Sequence, residues 1–205
     1  MQLKDIWIEL ASNYLADFEK IDELWREIEK EYSDKSRYYH NLSHLTDIIS
    51  QLMVIKANIK EFDTILFAIF YHDIVYKTDR NDNEEKSAEI ARNRLQKMRV
   101  PDMIIDKCCK QIIATKNHST NEDIDTNYLV DIDLGILGAE WPEYKSYADK
   151  IRNEYRKYPD HLYKKGRREK LNHFLQMDRI FKTDEFKERF EKQARDNMEK
   201  ELEEL

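Results

Sequence analysis

The chain has little with which to turn sharply, only 3 glycines and 3 prolines in 205 residues. An all-β fold needs many tight turns, and these two residue types supply most of them, so their shortage argues against one. Cysteine is scarcer still. The two present, Cys108 and Cys109, are adjacent. Neighbours of that kind make neither a disulfide framework nor a CxxC metal knuckle, and on a helix they serve as small, half-buried hydrophobes. Long apolar runs are missing as well. The longest, residues 65–71, is far too short to span a bilayer. Residues 1–6 run straight into an amphipathic pattern with Lys4 and Asp5, so no signal peptide is expected. The expectation is a cytoplasmic protein with no membrane partner.

What is present favours helix. Charged residues make up 38% and hydrophobic ones 40%, with Glu, Lys, Leu, Ile and Arg abundant, all of them compatible with helix on intrinsic grounds. The formal net charge is -7. An acidic surface repels phosphate backbones, so general nucleic-acid binding is not expected without a local basic groove. A small phosphorylated ligand is compatible with it, because a metal and a few Lys or Arg can reverse the field locally.

Leu3, Trp7, Leu10, Leu15, Phe18, Ile21, Trp25 and Ile28 recur at roughly helical spacing and predict one or two helices before Tyr32. Residues 33–37 read as a loop. Asn41 is a good N-cap for a helix carrying Leu45, Ile48, Ile49 and Leu52 inward. Phe62, Leu66, Ile69 and Phe70 mark a nearly all-apolar helix suited to the middle of the fold. A charged helix is expected over 84–98, and another from Pro101 to about Thr115. An apolar helix covers 128–137, two more flank Pro159, and the last spans 185–205 with the stripe Phe186, Phe190, Ala194, Met198 and Leu202. That stripe packs on the domain, with a homodimer contact as its lesser use. With no repeat, linker or composition break, the chain reads as one all-α domain over 1–205.

Three apolar stretches carry ionisable groups where a structural protein would prefer none. They are Tyr39-His40-Asn41-Leu42-Ser43-His44, Phe70-Tyr71-His72-Asp73-Ile74-Val75-Tyr76 and Leu129-Val130-Asp131-Ile132-Asp133-Leu134. A buried carboxylate costs several kcal/mol unless a cation or a set of donors compensates it. The nearest basic residue after Asp73, Lys77, lies beyond the expected helix end. Imidazole and carboxylate together suit Zn, Mn, Fe or Co. Taken alone, a His-Asp pair more often just caps a helix. His40 and His44 are four apart, hence on one helical face, and Asp131 and Asp133 add further acids. Three such segments in one chain are harder to explain as chance.

The order His, His-Asp, Asp resembles the HD-domain superfamily of metal-dependent phosphohydrolases. The wording is similar to a subgroup of small bacterial HD proteins of unassigned substrate. Asp82-Asn83-Glu84-Glu85-Lys86-Ser87-Ala88, Ala114-Thr115-Lys116-Asn117-His118, Gly135-Ile136-Leu137-Gly138, Arg152-Asn153-Glu154-Tyr155 and Gly166-Arg167 extend the likeness over almost the whole chain. The resemblance implies a helical domain in which His44, His72, Asp73 and Asp133 coordinate one divalent transition metal (Mn, Co, Zn or Fe). The implied reaction is hydrolysis of a nucleotide or other small phosphorylated compound. The opening at Tyr39 also looks like that of cyclic-nucleotide phosphodiesterases, which would make His40 the general acid beside a catalytic Asp73. The extra histidines of the HD-GYP type are absent, so a second tightly held metal is not implied. The dyad is followed by Ile74-Val75-Tyr76, without the lysine of some nucleotidase relatives. A non-catalytic metal and nucleotide sensor on the same site is the main alternative. An oxidative di-iron relative is disfavoured by the missing ligand histidines.

Supporting roles follow with their plainer alternatives. Lys116 and His118 are expected to hold phosphate, or else to be cations favourably placed at a helix C-terminus. Glu84 and Ser87, three apart, are expected to orient a water or a substrate hydroxyl, beside a cap made by Asp82 and Glu85. Arg152 and Arg167 are candidate phosphate clamps, with exposed salt bridging as the commoner fate. His161 and His173 read as ordinary helix residues. Residues two apart on a helix point about 200° from each other, so one site rarely uses both Asp131 and Asp133. Asp133 shares its face with Leu129, Val130, Ile136 and Leu137. Asp131 lies near Asn127, Tyr128, Leu134 and Gly135, a more polar face. Asp133 is therefore expected on the drier side, with Asp131 orienting a ligand histidine or Lys116, or simply exposed.

Overall fold

The computed structural model describes residues 2–205, and among them the chain is all-helical, with no strand. Among the described residues no helix is long and apolar enough to cross a membrane. Backbone contacts divide the chain into two compact units, one ending at Asn117 and one spanning His118–Leu205.

The first unit holds α1 (Leu3–Ser12), α2 (Phe18–Tyr32), α3 (Leu42–Val54), α4 (Phe62–Tyr71), α5 (Asn83–Lys97) and α6 (Asp102–Ala114). Asp17 and Asn41 start α2 and α3 as N-caps, accepting from the backbone N–H of Lys20 and Ser43. Every residue of α4 from Thr64 to Tyr71 is buried, as its all-apolar sequence requires, and α4 packs against α3, α5 and α6. Trp7 on α1 sets ring edges on Phe67, Phe70 and Tyr71. Its indole N–H donates to the Ile21 carbonyl at 3.1 Å, which ties α1 to α2. The buried Cys108 and Cys109 are free thiols on α6.

The second unit holds α7 (Ile124–Asp133), a 3₁₀ turn (Leu134–Gly138), α8 (Trp141–Glu154), α9 (Asp160–Leu175) and α10 (Asp184–Glu204). The helix expected over 128–137 begins earlier, because Asp123 caps it, and tightens into the 3₁₀ turn at Leu134. The turn ends in a close approach to α10. A Cβ at Gly138 would lie 2.6 Å from Phe190 Cβ, so only glycine lets the two segments meet. The α10 stripe packs within this unit, where Phe181, Phe186 and Phe190 cluster and Asn197 donates to the Leu137 and Ala139 carbonyls, each at 2.8 Å.

Candidate metal centre

The His72-Asp73 pair sits where α4 ends, with His72 as its C-cap. The turn that follows is clamped from three directions. Arg37, buried in the loop before α3, donates to the carbonyls of Asp73 (2.6 Å), Ile74 (3.0 Å) and His40 (3.3 Å). A planar guanidinium with a fixed fork of donors can hold successive carbonyls in register. The Asp73 N–H donates to the Tyr32 hydroxyl at 3.1 Å, at the end of α2. The Ser87 hydroxyl on α5 accepts from the Val75 N–H at 3.1 Å and donates back to its carbonyl at 3.4 Å.

That clamp presents a set of rings and a carboxylate to one another. His72 is buried, and its Nδ1 lies 2.8 Å from the Ile69 carbonyl. Only a protonated Nδ1 is compatible with an acceptor that close, so in the neutral ring Nε2 carries the lone pair. Nε2 stands 3.2 Å from Asp73 Oδ2. Two acceptors at that separation repel unless a proton or a cation serves both. His44, buried in the first turn of α3, has its ring 5.6 Å from that of His72 and 4.7 Å from Tyr39. His40 stacks on Tyr76 with ring centres 4.1 Å apart, and its Nε2 lies 4.0 Å from Asp73 Oδ2.

His44, His72 and Asp133 are a group that could hold a metal ion. The donor set fits one: two imidazoles and a carboxylate are common ligands of a divalent transition metal, with bonds of about 2.0–2.2 Å in zinc sites. No protein-family model, curated protein or solved structure matches the chain. The reading of this centre therefore rests on its own chemistry.

In the second unit His118 lies buried, with Nε2 3.7 Å from Asp133 Oδ2 and its ring against Phe174. Its backbone is left-handed, at φ 51°, a conformation uncommon for a side-chain-bearing residue. Burial lowers its pKa, and Asp133 works against that shift.

The sequence reading of the two acids on α7 has their burial reversed. Asp131 is fully buried, whereas Asp133 keeps 17% of its side-chain exposure. Asp131 orients neither a histidine nor Lys116. Its carboxylate accepts from the N–H of Lys182 (2.6 Å), the N–H of Thr183 (2.7 Å) and the Thr183 hydroxyl (2.7 Å), which fastens the start of α10. A set of donors compensates the buried charge here, so burial alone did not identify a metal ligand.

Other expected site residues are engaged elsewhere. Lys116 donates to Glu85 and to the Asn81 carbonyl, both at 2.5 Å, which ties the end of α6 to the start of α5. Ser87 is fully buried and its hydroxyl bonds the Val75 backbone. Arg152 is no free phosphate clamp either. It donates to the Tyr155 and Tyr158 carbonyls, pairs with Asp160 and lies over the Tyr163 ring. Arg167 forms a buried ion pair with Glu201, at 2.7 and 2.9 Å, where exposed salt bridging was expected. Glu84 is half-buried. Burial pushes its carboxyl above the usual range, and the nearby Asp73 charge adds to the shift. Arg37, Tyr32 and Tyr76 were not singled out from the sequence. The one available signal was an arginine three residues before His40 in an otherwise ordinary loop.

Proposed function

We propose that the chain is a metal-dependent phosphohydrolase of the HD superfamily, acting on a nucleotide or another small phosphorylated compound. The observation that carries this reading is the His72-Asp73 pair. Its imidazole Nδ1 is committed to Ile69, and its Nε2 faces a carboxylate oxygen 3.2 Å away, an arrangement that calls for positive charge.

His44, His72 and Asp133 would hold one divalent transition metal (Mn, Co, Zn or Fe), with Asp73 as a further ligand. When bound, such an ion neutralises phosphoryl oxygens and lowers the pKa of the attacking water. Asp73, beside His72, would take up the proton that the attacking water loses. His40, set beside Asp73 but exposed over 19% of its side chain, gives a proton to the leaving oxygen as the phosphorus–oxygen bond breaks. Arg37 keeps the backbone of both residues fixed while this happens. Glu84, half-buried and near enough to feel the Asp73 charge, would orient a water or a substrate hydroxyl.

A second reading, a metal and nucleotide sensor without turnover, draws on the commitment of Lys116, Arg152 and Arg167 to other protein groups. Phosphate release from nucleoside mono-, di-, tri- and cyclic phosphates by the metal-loaded protein separates the two, since the sensor binds without releasing phosphate. Elemental analysis of the purified chain tests the shared premise. His72→Ala should empty the centre and abolish release. A wild-type protein with no metal and no response to added Mn, Co, Zn or Fe would remove both readings.

A further inference from the structure

His40 belongs to a loop, and a loop side chain is ordinarily free to change rotamer. Here it is held twice over. Its carbonyl accepts from the Arg37 guanidinium that also holds the carbonyls of Asp73 and Ile74. Its ring lies almost flat on Tyr76, 4.1 Å between centres at 26°, while Tyr39 meets it edge-on at 5.0 Å. Tyr76 belongs to the same turn as Asp73 and is itself backed by Arg37, whose guanidinium carbon lies 5.7 Å from the Tyr76 ring centre and 5.0 Å from that of Tyr32. Tyr32, Arg37, Tyr76 and His40 thus follow one another in a column, a cation between two tyrosine rings and the imidazole stacked on the second. The column links the His40 ring to the segment that carries Asp73.

We propose that Tyr76 and Arg37 are positioning residues for His40, fixing the plane and reach of its imidazole against Asp73. The inference rests on the proton-donor role proposed for His40. A general acid must sit within hydrogen-bond reach of the leaving oxygen, and a displacement of about 1 Å can cost on the order of 10²-fold in rate. Stacking on a neighbouring ring gives that placement.

The test uses the full chain and Tyr76→Leu, Tyr76→Phe, Arg37→Lys and His40→Ala, each checked for its thermal transition and metal content. Two readouts are taken. Imidazole C–H signals in two-dimensional NMR, with His40 assigned by its loss in His40→Ala, report the ring current of Tyr76. Rates on aryl phosphates of graded leaving-group acidity report proton donation. Tyr76→Leu is expected to shift the His40 signals and to slow poor leaving groups by on the order of 10²-fold, with nitrophenyl phosphate little changed. Tyr76→Phe keeps the stack and should behave as wild type, and Arg37→Lys should fall between. His40 signals unmoved in Tyr76→Leu would overturn the inference. So would a leaving-group profile that steepens in His40→Ala but not in Tyr76→Leu. No hydrolysis by the wild type, or a His40→Ala profile as shallow as wild type, would overturn the proton-donor reading and this inference with it.

Discussion

In the second unit the buried guanidinium of Arg167 faces the buried carboxylate of Glu201 through two hydrogen bonds, and the Tyr144 hydroxyl donates to the same carboxylate at 2.5 Å. In the first unit a buried imidazole nitrogen, which carries a lone pair in the neutral ring, faces a carboxylate oxygen at 3.2 Å. One arrangement pairs donors with acceptors and opposite charges with each other, so it needs nothing added. The other sets an imidazole nitrogen against a carboxylate oxygen and holds the geometry with Arg37, Tyr32 and Ser87. Burial of charge is common to both regions. What distinguishes them is the group that meets the carboxylate, a guanidinium in one and an imidazole in the other.

The comparison breaks most visibly on the paired side. Arg167→Met leaves Glu201 and the Tyr144 hydroxyl in the interior without their cation, and should cost about 3–5 kcal/mol in denaturant unfolding. Combining it with Glu201→Leu and Tyr144→Phe removes both buried charges and the Tyr144 hydroxyl, leaving only the Tyr147 hydroxyl of the group, and should restore most of that loss. A single variant as stable as wild type would show that the pair carries no structural weight.

A smaller effect separates the two acids of α7. Asp131→Asn removes the charge to which the backbone of Lys182 and Thr183 donates, and should lower stability by about 1–3 kcal/mol while metal content stays unchanged. Asp133→Asn should do the opposite, losing metal with little change in the unfolding midpoint of the metal-free chain. If Asp131→Asn empties the centre, the assignment of roles is inverted.

Smaller still is the change expected at Asp73 in metal-free protein. Asp73→Asn replaces one acceptor with an amide that can donate to His72 Nε2, so a repulsive contact becomes a hydrogen bond. Stability should hold or rise by up to about 1 kcal/mol, although metal binding falls. A clear loss of stability without metal would mean that the carboxylate already finds its compensation in the chain.

These contrasts also mark what the sequence could and could not convey. Helices followed from apolar periodicity, and the Asn41 cap was legible because capping is a local interaction between neighbours in sequence. The His-Asp turn stood out because ionisable groups interrupted an apolar run. The partners of Asp131 are backbone N–H groups 51 and 52 residues away, and backbone donors leave no trace in residue identity. Arg152 and Arg37 were opaque for a related reason, since each is occupied largely by carbonyls that any residue could supply. Residue type announces what a side chain can bind. The fold decides what reaches it first.

The last comparison sets one tyrosine from each unit side by side. Tyr14 and Tyr163 both have their phenol pKa pushed up from 10.0 to about 12, in each case chiefly by burial. At Tyr14 the second cause is Asp63, whose carboxylate accepts the phenol proton at 2.9 Å. At Tyr163 the Arg167 charge pulls the other way, and Glu201 supports the rise. A folded pKa above the unfolded one means that the protonated form is favoured by folding. The contribution is therefore complete below pH 10 and is lost as pH climbs from 10 to about 12. Unfolding free energies measured from pH 8 upward should fall through that window in the wild type, and less steeply in Tyr14→Phe and in Tyr163→Phe. Tyr14→Phe should also cost some stability at neutral pH, because the Asp63 hydrogen bond is lost, whereas no hydrogen bond of that kind supports the shift at Tyr163. An alkaline limb equally steep in wild type and both variants would show that neither phenol is held back from ionising, and the parallel between the two regions would fail at its simplest point.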